Sequence, residues 1–240
     1  MKRGVLLLVL FVIFLLTSTS LLAVDFSFGI KGGVNAAMLN EEPDLPYQNT
    51  FNVGFSAGVF GSVLLADWFS IDPSILFTLK GNTAGFAFNK PTPDFDYVEG
   101  NEIIRLGYFE IPVLFKFYPS FDMYPDMYHR TLLPPDVRIN LFIGPYVGIL
   151  SFVNYHASDD VRIYIRESLG YEPGGDFEDF KTLDYGMVFG VGIDYRQFLA
   201  EFSISIAFKT VDTIDIQRTR SNLVITLMVG YRILGGYYDI

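Results

Sequence analysis

Eight charged residues lie on the polar side of alternating apolar stretches: Lys31, Asp72, Glu110, Lys116, Arg138, Asp194, Glu201 and Arg232. Half are acids and half are bases, so the chemistry they offer is mutual neutralisation. A charge in a confined interior is costly unless it is paired and hydrogen-bonded. Their positions along the stretches pair Asp72 with Lys116, Arg138 with Asp194, and Glu201 with Arg232, all near one end. Lys31 and Glu110 fall nearer the middle, and Lys80, Asp184 and Lys209 nearer the other end.

Other chemistry is sparsely represented. His129 and His156 are the only histidines, and they fall in connections on opposite sides of the predicted architecture. A shared metal site or single catalytic centre is therefore not expected. His156 has Ser158, Asp159 and Asp160 nearby, the residue types of a hydrolytic site, but a solvated loop histidine accounts for it. Asp176-Phe177-Glu178-Asp179 offers carboxylates to Ca²⁺ without the ordered spacing of a calcium loop. Gly190-Val191-Gly192 precedes Asp194-Tyr195 rather than a helix, so it is no nucleotide motif; these glycines give room in an interior. Cysteine is absent, which removes disulfides, thiol nucleophiles and thiolate metal sites. No catalytic residue, cofactor or metal is expected.

The elements that carry the charges have a period of two, the signature of strands with two different faces. Phe26, Phe28, Ile30, Val34 and Ala36 alternate with Ser27, Gly29, Lys31, Gly33 and Asn35. The pattern returns in segments centred near residues 58, 75, 113, 144, 188, 204 and 227. That makes eight segments, an even number, each near the ~9–11 residues that cross a bilayer on a tilt. Connections alternate in length. Leu65-Ala66-Asp67-Trp68 and Arg196-Gln197-Phe198 are short, whereas 38–51, 81–102, 151–181 and 210–220 are long and polar. The exception is 119–136, a long proline-containing connection on the short-turn side. The four long polar connections together carry a charge of −10, equal to the net charge of the whole chain. An acidic chain argues against a nucleic-acid partner, which needs a basic footprint.

Two closed barrels fit such alternation: a soluble one with its apolar face inward, and a membrane one with the faces exchanged. The polar face here is rich in Gly and Ser with one or two charges per strand, too sparse for a water-exposed surface. The interior of an eight-stranded barrel is narrow and filled by side chains, and this composition suits it. The expected fold is all-β, an eight-stranded antiparallel up-and-down transmembrane barrel over residues 24–240. Met1-Lys2-Arg3, the apolar run to Leu16, Thr17-Ser18-Thr19-Ser20 and then Leu21-Leu22-Ala23 have the layout of a secretory signal peptide, 1–23, although Leu21 is larger than the small residue usual at that place. Export then leads to the outer membrane of a diderm bacterium, with its lipid and the barrel-assembly machinery as partners and a monomer as the expected state.

Several segments resemble the PorT-like and generic porin-family outer-membrane barrels. They are Gly29-Ile30-Lys31-Gly32-Gly33-Val34-Asn35, the Glu110-Ile111-Pro112 core of Tyr108–Lys116, Phe142-Ile143-Gly144-Pro145-Tyr146-Val147-Gly148 and Phe189-Gly190-Val191-Gly192-Ile193-Asp194. The resemblance implies an eight-stranded outer-membrane barrel and no reaction. Three roles remain open. One is a structural or surface-interaction barrel that presents its outer loops to a ligand or protein. The others are a narrow passive pore or small-ligand transporter, and an accessory barrel of a secretion system. Amino-terminal sequencing of protein recovered from the outer membrane is expected to begin at Val24. An intact Met1 there would contradict the leader.

Overall fold

The computed structural model describes residues 25–42, 48–88, 98–119, 137–169, 182–208 and 219–235. The signal segment, His129, Lys209, the acidic run 176–179 and the connection 120–136 lie outside them. The strands are β1 (Asp25–Glu42), β2 (Gln48–Ala66), β3 (Phe69–Phe88), β4 (Val98–Phe117), β5 (Val137–Ala157), β6 (Leu183–Tyr195), β7 (Phe198–Ala207) and β8 (Thr219–Leu234). Each pairs antiparallel with the next, and β8 pairs with β1 from Phe28↔Leu234 to Glu42↔Thr219, closing the ring. One helix, α1 (Asp159–Leu169), follows β5. Asp159 and Asp160 occupy its first turn, where the helix dipole favours negative charge.

The two faces are assigned as the alternation requires. Phe26, Ile30, Val34, Phe109, Ile143, Phe202 and Val229 face outward and are exposed, Val229 at 64%. Ser27, Lys31, Asn35, Ser56, Ser62, Ser70, Asp72 and Lys116 face inward and are buried. At the short-turn end an aromatic group surrounds the wall. Trp68 stands 5.6 Å from Phe69 and 6.4 Å from Phe117, and Phe198 packs on Tyr231 at 5.2 Å. Aromatic rings at this level mark a membrane–water interface.

The strands are longer than a bilayer crossing requires, 18 to 21 residues in β1 to β5. Much of the expected loop 81–102 is therefore strand, as are 151–157 and the outer parts of 38–51. The reason is a change of polarity along the strands, clearest in β4 and β5. Beyond about Lys80, outward positions turn polar, as at Asn101, Arg105, Asn154 and His156. Inward positions there become richer in apolar residues: Leu39, Ile104, Leu106 and Leu150 form a buried cluster with Tyr108, flanked by Val153 and Tyr155, with Asn82, Glu102 and Asn222 buried among them. Outside the hydrocarbon, the wall faces water on its outer side and packs an apolar core within.

A β-bulge in β5 sits at this change. Gly107 pairs with Phe152 and Tyr108 with Leu150, leaving Ser151 extra, its hydroxyl donating to the Gly107 carbonyl at 3.0 Å. The added residue shifts the inward positions from even to odd numbers, so Val153, Tyr155 and Ala157 point in. At the rim, α1 rests on β4, with Val161 fully buried close to Gly100.

Replacing Phe202 with arginine places a charge midway across the apolar band. It is expected to lower stability by ~2–4 kcal/mol, whereas Ser203→Ala changes little. Urea unfolding in lipid vesicles, followed by tryptophan fluorescence, measures both.

Candidate functional site

The lumen gathers the charged residues into layers. Nearest the short turns, Asp194 of β6 accepts from Arg232 of β8 at 2.7 Å and from the Tyr118 hydroxyl at 3.1 Å. Arg232 is fully buried, and its guanidinium also donates to the Arg196 carbonyl at 3.2 Å. Beside this pair lies a second group contributed by four strands. Lys116 of β4 lies 2.9 Å from Asp72 of β3 and 2.6 Å from Glu201 of β7. Glu201 accepts in turn from Lys31 of β1 at 3.0 Å. Asp72 also receives the hydroxyls of Ser62 and Ser70 at 2.6 and 2.7 Å. Two cations and two anions make this group neutral.

A third group lies further out. Lys80 of β3 pairs with Glu110 of β4 and, at 2.9 Å, with Asp184 of β6. The two carboxylates outnumber the single ammonium, and hydrogen bonds help to support the excess charge. Asn222 donates to Asp184 at 3.1 Å, and the Tyr146 hydroxyl approaches both its oxygens at 3.4 Å. The ammonium lies 4.5 Å from the Tyr146 ring and 5.4 Å from the Tyr108 ring, within cation–π range.

Between the ionic layers the lumen is packed with apolar side chains. Leu114, Phe142, Tyr146 and Val188 form one cluster, and Phe60, Leu76 and Met228 are also buried inside. Gly190 stands opposite Phe142, and a Cβ there would strike that ring and the Phe202 carbonyl oxygen. Likewise a Cβ at Gly192 would come within 2.6 Å of Asn140 Oδ1. The glycines of β6 therefore do give room inside. One pocket between the layers, lined by Lys31, Glu110, Leu114 and Phe142 among others, has a volume of about 30 Å³, enough for about two water molecules.

All eight charged residues singled out in the sequence lie on inward strand positions or at the short-turn rim, but their pairing departs in part from expectation. Asp72 and Lys116 pair as anticipated. Glu201 stands opposite Met228, four residues along β8 from Arg232, so it reaches across the lumen to Lys31 and Lys116 while Arg232 takes Asp194. Arg138 stands opposite Asp194 in the register but is only partly buried. It donates to the Asp67 carbonyl and lies 4.2 Å from the Tyr118 ring. Pairing by neighbouring strands overlooks contacts across the lumen, because long lysines span a small barrel. Lys80, Asp184 and Asn222 belong to the site as fully as the first eight. Their inward parity was the available signal. The inward apolar residues went unrecognised because side-chain polarity, rather than position, was followed at Phe60, Leu76, Leu114 and Phe142.

His156 faces outward on β5 and is exposed. Among the described residues no three His, Cys, Asp or Glu side chains stand close enough to hold a metal ion.

Residues 22–212 match the family described as outer membrane protein beta-barrel domain. The chain belongs to that family. The outer membrane barrel is thus the setting for the layered lumen, and β8 completes it beyond the matched segment. Ail, the attachment invasion locus protein of Yersinia pestis solved with the heparin analogue sucrose octasulfate, is 12% identical. That alignment covers 87% of this chain and 99% of Ail, with a TM-score of 0.39. OprG of Pseudomonas aeruginosa is 10% identical over 87% of this chain and 96% of its own, with a TM-score of 0.43. Outer membrane protein W of E. coli is 13% identical over 88% of this chain and all of its own, at 0.33. No curated protein matches the chain.

Removing Lys116 leaves two buried carboxylates short of a cation. Lys116→Met is expected to cost about 3–5 kcal/mol, the range for breaking a buried ion pair, and the double variant Lys116→Met/Asp72→Asn to recover part of it. The urea midpoint in vesicles reads both.

Proposed function

We propose that this outer membrane barrel is a non-conducting anchor that works through its outer surface rather than through its lumen or by catalysis. The supporting observation is the filled interior: crossed ion pairs above and below an apolar plug, with a pocket of only about 30 Å³ between them. Passage of a hydrated ion would require separating Lys116 from two carboxylates, or displacing Phe142 and Leu114. Either is expensive in a medium with little water to replace the lost contacts.

The outer connections, in contrast, hold most of the chain's negative excess. Such a rim favours cations or basic segments of a protein and repels anionic polymers. The exported protein then loses residues 1–23, enters the membrane through the barrel-assembly machinery and stays monomeric.

Purified barrel in a planar lipid bilayer is expected to give no steady single-channel current. Reproducible open levels would overturn the anchor reading and favour the narrow pore.

A further inference from the structure

The polar side chains of the lumen fall into two connected sets. In the set nearer the short turns, the Ser70 hydroxyl donates to Asp72 at 2.7 Å and stands 3.5 Å from the Tyr118 hydroxyl. Tyr118 reaches Asp194 and so the Arg232 pair. Lys116 joins Asp72 to Glu201, and Glu201 joins Lys116 to Lys31. The outer set is Lys80 with Glu110, Asp184, Asn222 and Tyr146. Among the described residues no hydrogen bond or ion pair ties Lys31 or Glu201 to Lys80 or Glu110. The pocket of about 30 Å³ lies between the two sets, and all four of these charged residues line it.

Two features of the lining point to an occupant. Thr78 is only 2% exposed, and its hydroxyl has no hydrogen-bond partner within the protein. An unmet buried hydroxyl is costly, and native structures nearly always supply a partner. Glu110, an inward residue, keeps 11% of its side chain accessible, against 1% for Lys80 and 2% for Asp184 beside it.

The lining also fixes the chemistry of the occupant. Two ammonium groups and two carboxylates cancel, so neither a cation nor an anion is favoured. Ser203, Ser205 and Thr226 add hydroxyl groups, and an apolar ligand would leave Thr78 unmet. Water both donates and accepts, and the volume admits about two molecules. We propose that the pocket is a hydration site, in which two water molecules connect Thr78 and Glu110 to the Lys31–Glu201 pair. They join the two ionic sets into one network through the lumen, each bridge nearly as favourable as a direct hydrogen bond. Two waters enclosed between ion pairs do not open the bore.

A high-resolution crystal structure of the mature barrel is the first test. Two density peaks are expected in the pocket, one within hydrogen-bond distance of Thr78 Oγ1 and one reaching Lys31 or Glu201. An empty pocket, a bound ion or a detergent tail there overturns the proposal. Thr78→Val keeps the side-chain shape and removes the hydroxyl. It is expected to lower the urea midpoint in vesicles, because the water loses a partner. A raised or unchanged midpoint counts against the site, since a dry pocket gains from losing an unmet hydroxyl. Thr78→Val and Lys31→Met touch the same waters and are expected to be non-additive when combined; strict additivity removes the bridge between the sets. Heat-modifiable migration in gels confirms that each variant is folded, and the crystal structure and Thr78→Val decide the matter if Lys31→Met is not.

Discussion

In hydrocarbon no water is available to satisfy a peptide group, so every backbone N–H and C=O of a spanning sheet must find its partner within the protein. The pairing of β8 with β1 meets that constraint by removing both edges, and much else about the molecule follows. Closure forces one face of every strand outward and the other inward. Eight strands then set a lumen so narrow that side chains fill it. Once filled, the lumen holds its cations against acids: Lys31, Lys80, Lys116 and Arg232 each lie against a carboxylate.

The same wall solves two solvent problems in succession. Within the membrane it is apolar outside and ionic inside. Beyond the level of Lys80 it is polar outside and packs Leu39, Ile104, Leu106 and Leu150 within. Strand parity is strict, so a change of environment requires either a change of residue type along the strand or a change of parity. β3 and β4 use the first device. β5 uses the second, inserting Ser151 so that Tyr155 and Ala157 turn inward. The bulge and the change of polarity therefore fall at the same level of the wall.

The ionic layers add rigidity of a particular kind. Lys116 joins Asp72 of β3 to Glu201 of β7, and Lys80 joins β4 to β6. These cross-links run through the lumen between strands that are not neighbours in the sheet. Buried ion pairs are weak evidence for added stability, since desolvation offsets much of the attraction. Here they link strands that the hydrogen-bond ladder leaves unconnected.

By itself the sequence determined the number of strands, the direction each face takes through the membrane band, the short turns at Asp67 and Arg196, and the inward placement of Lys31, Asp72 and Glu201. Those features depend on local alternation, and a pleated strand translates alternation directly into sides. Pairing within the lumen was only partly legible. Glu201 chooses Lys31 and Lys116 over Arg232 because register and lumen width decide which side chains meet. The length of β3, β4 and β5 escaped because the polarity of inside and outside reverses beyond the membrane, so a rule tied to apolar-out residues stops too early. The pocket beside Thr78 exists only in the closed sheet, where strands far apart in the chain are brought face to face.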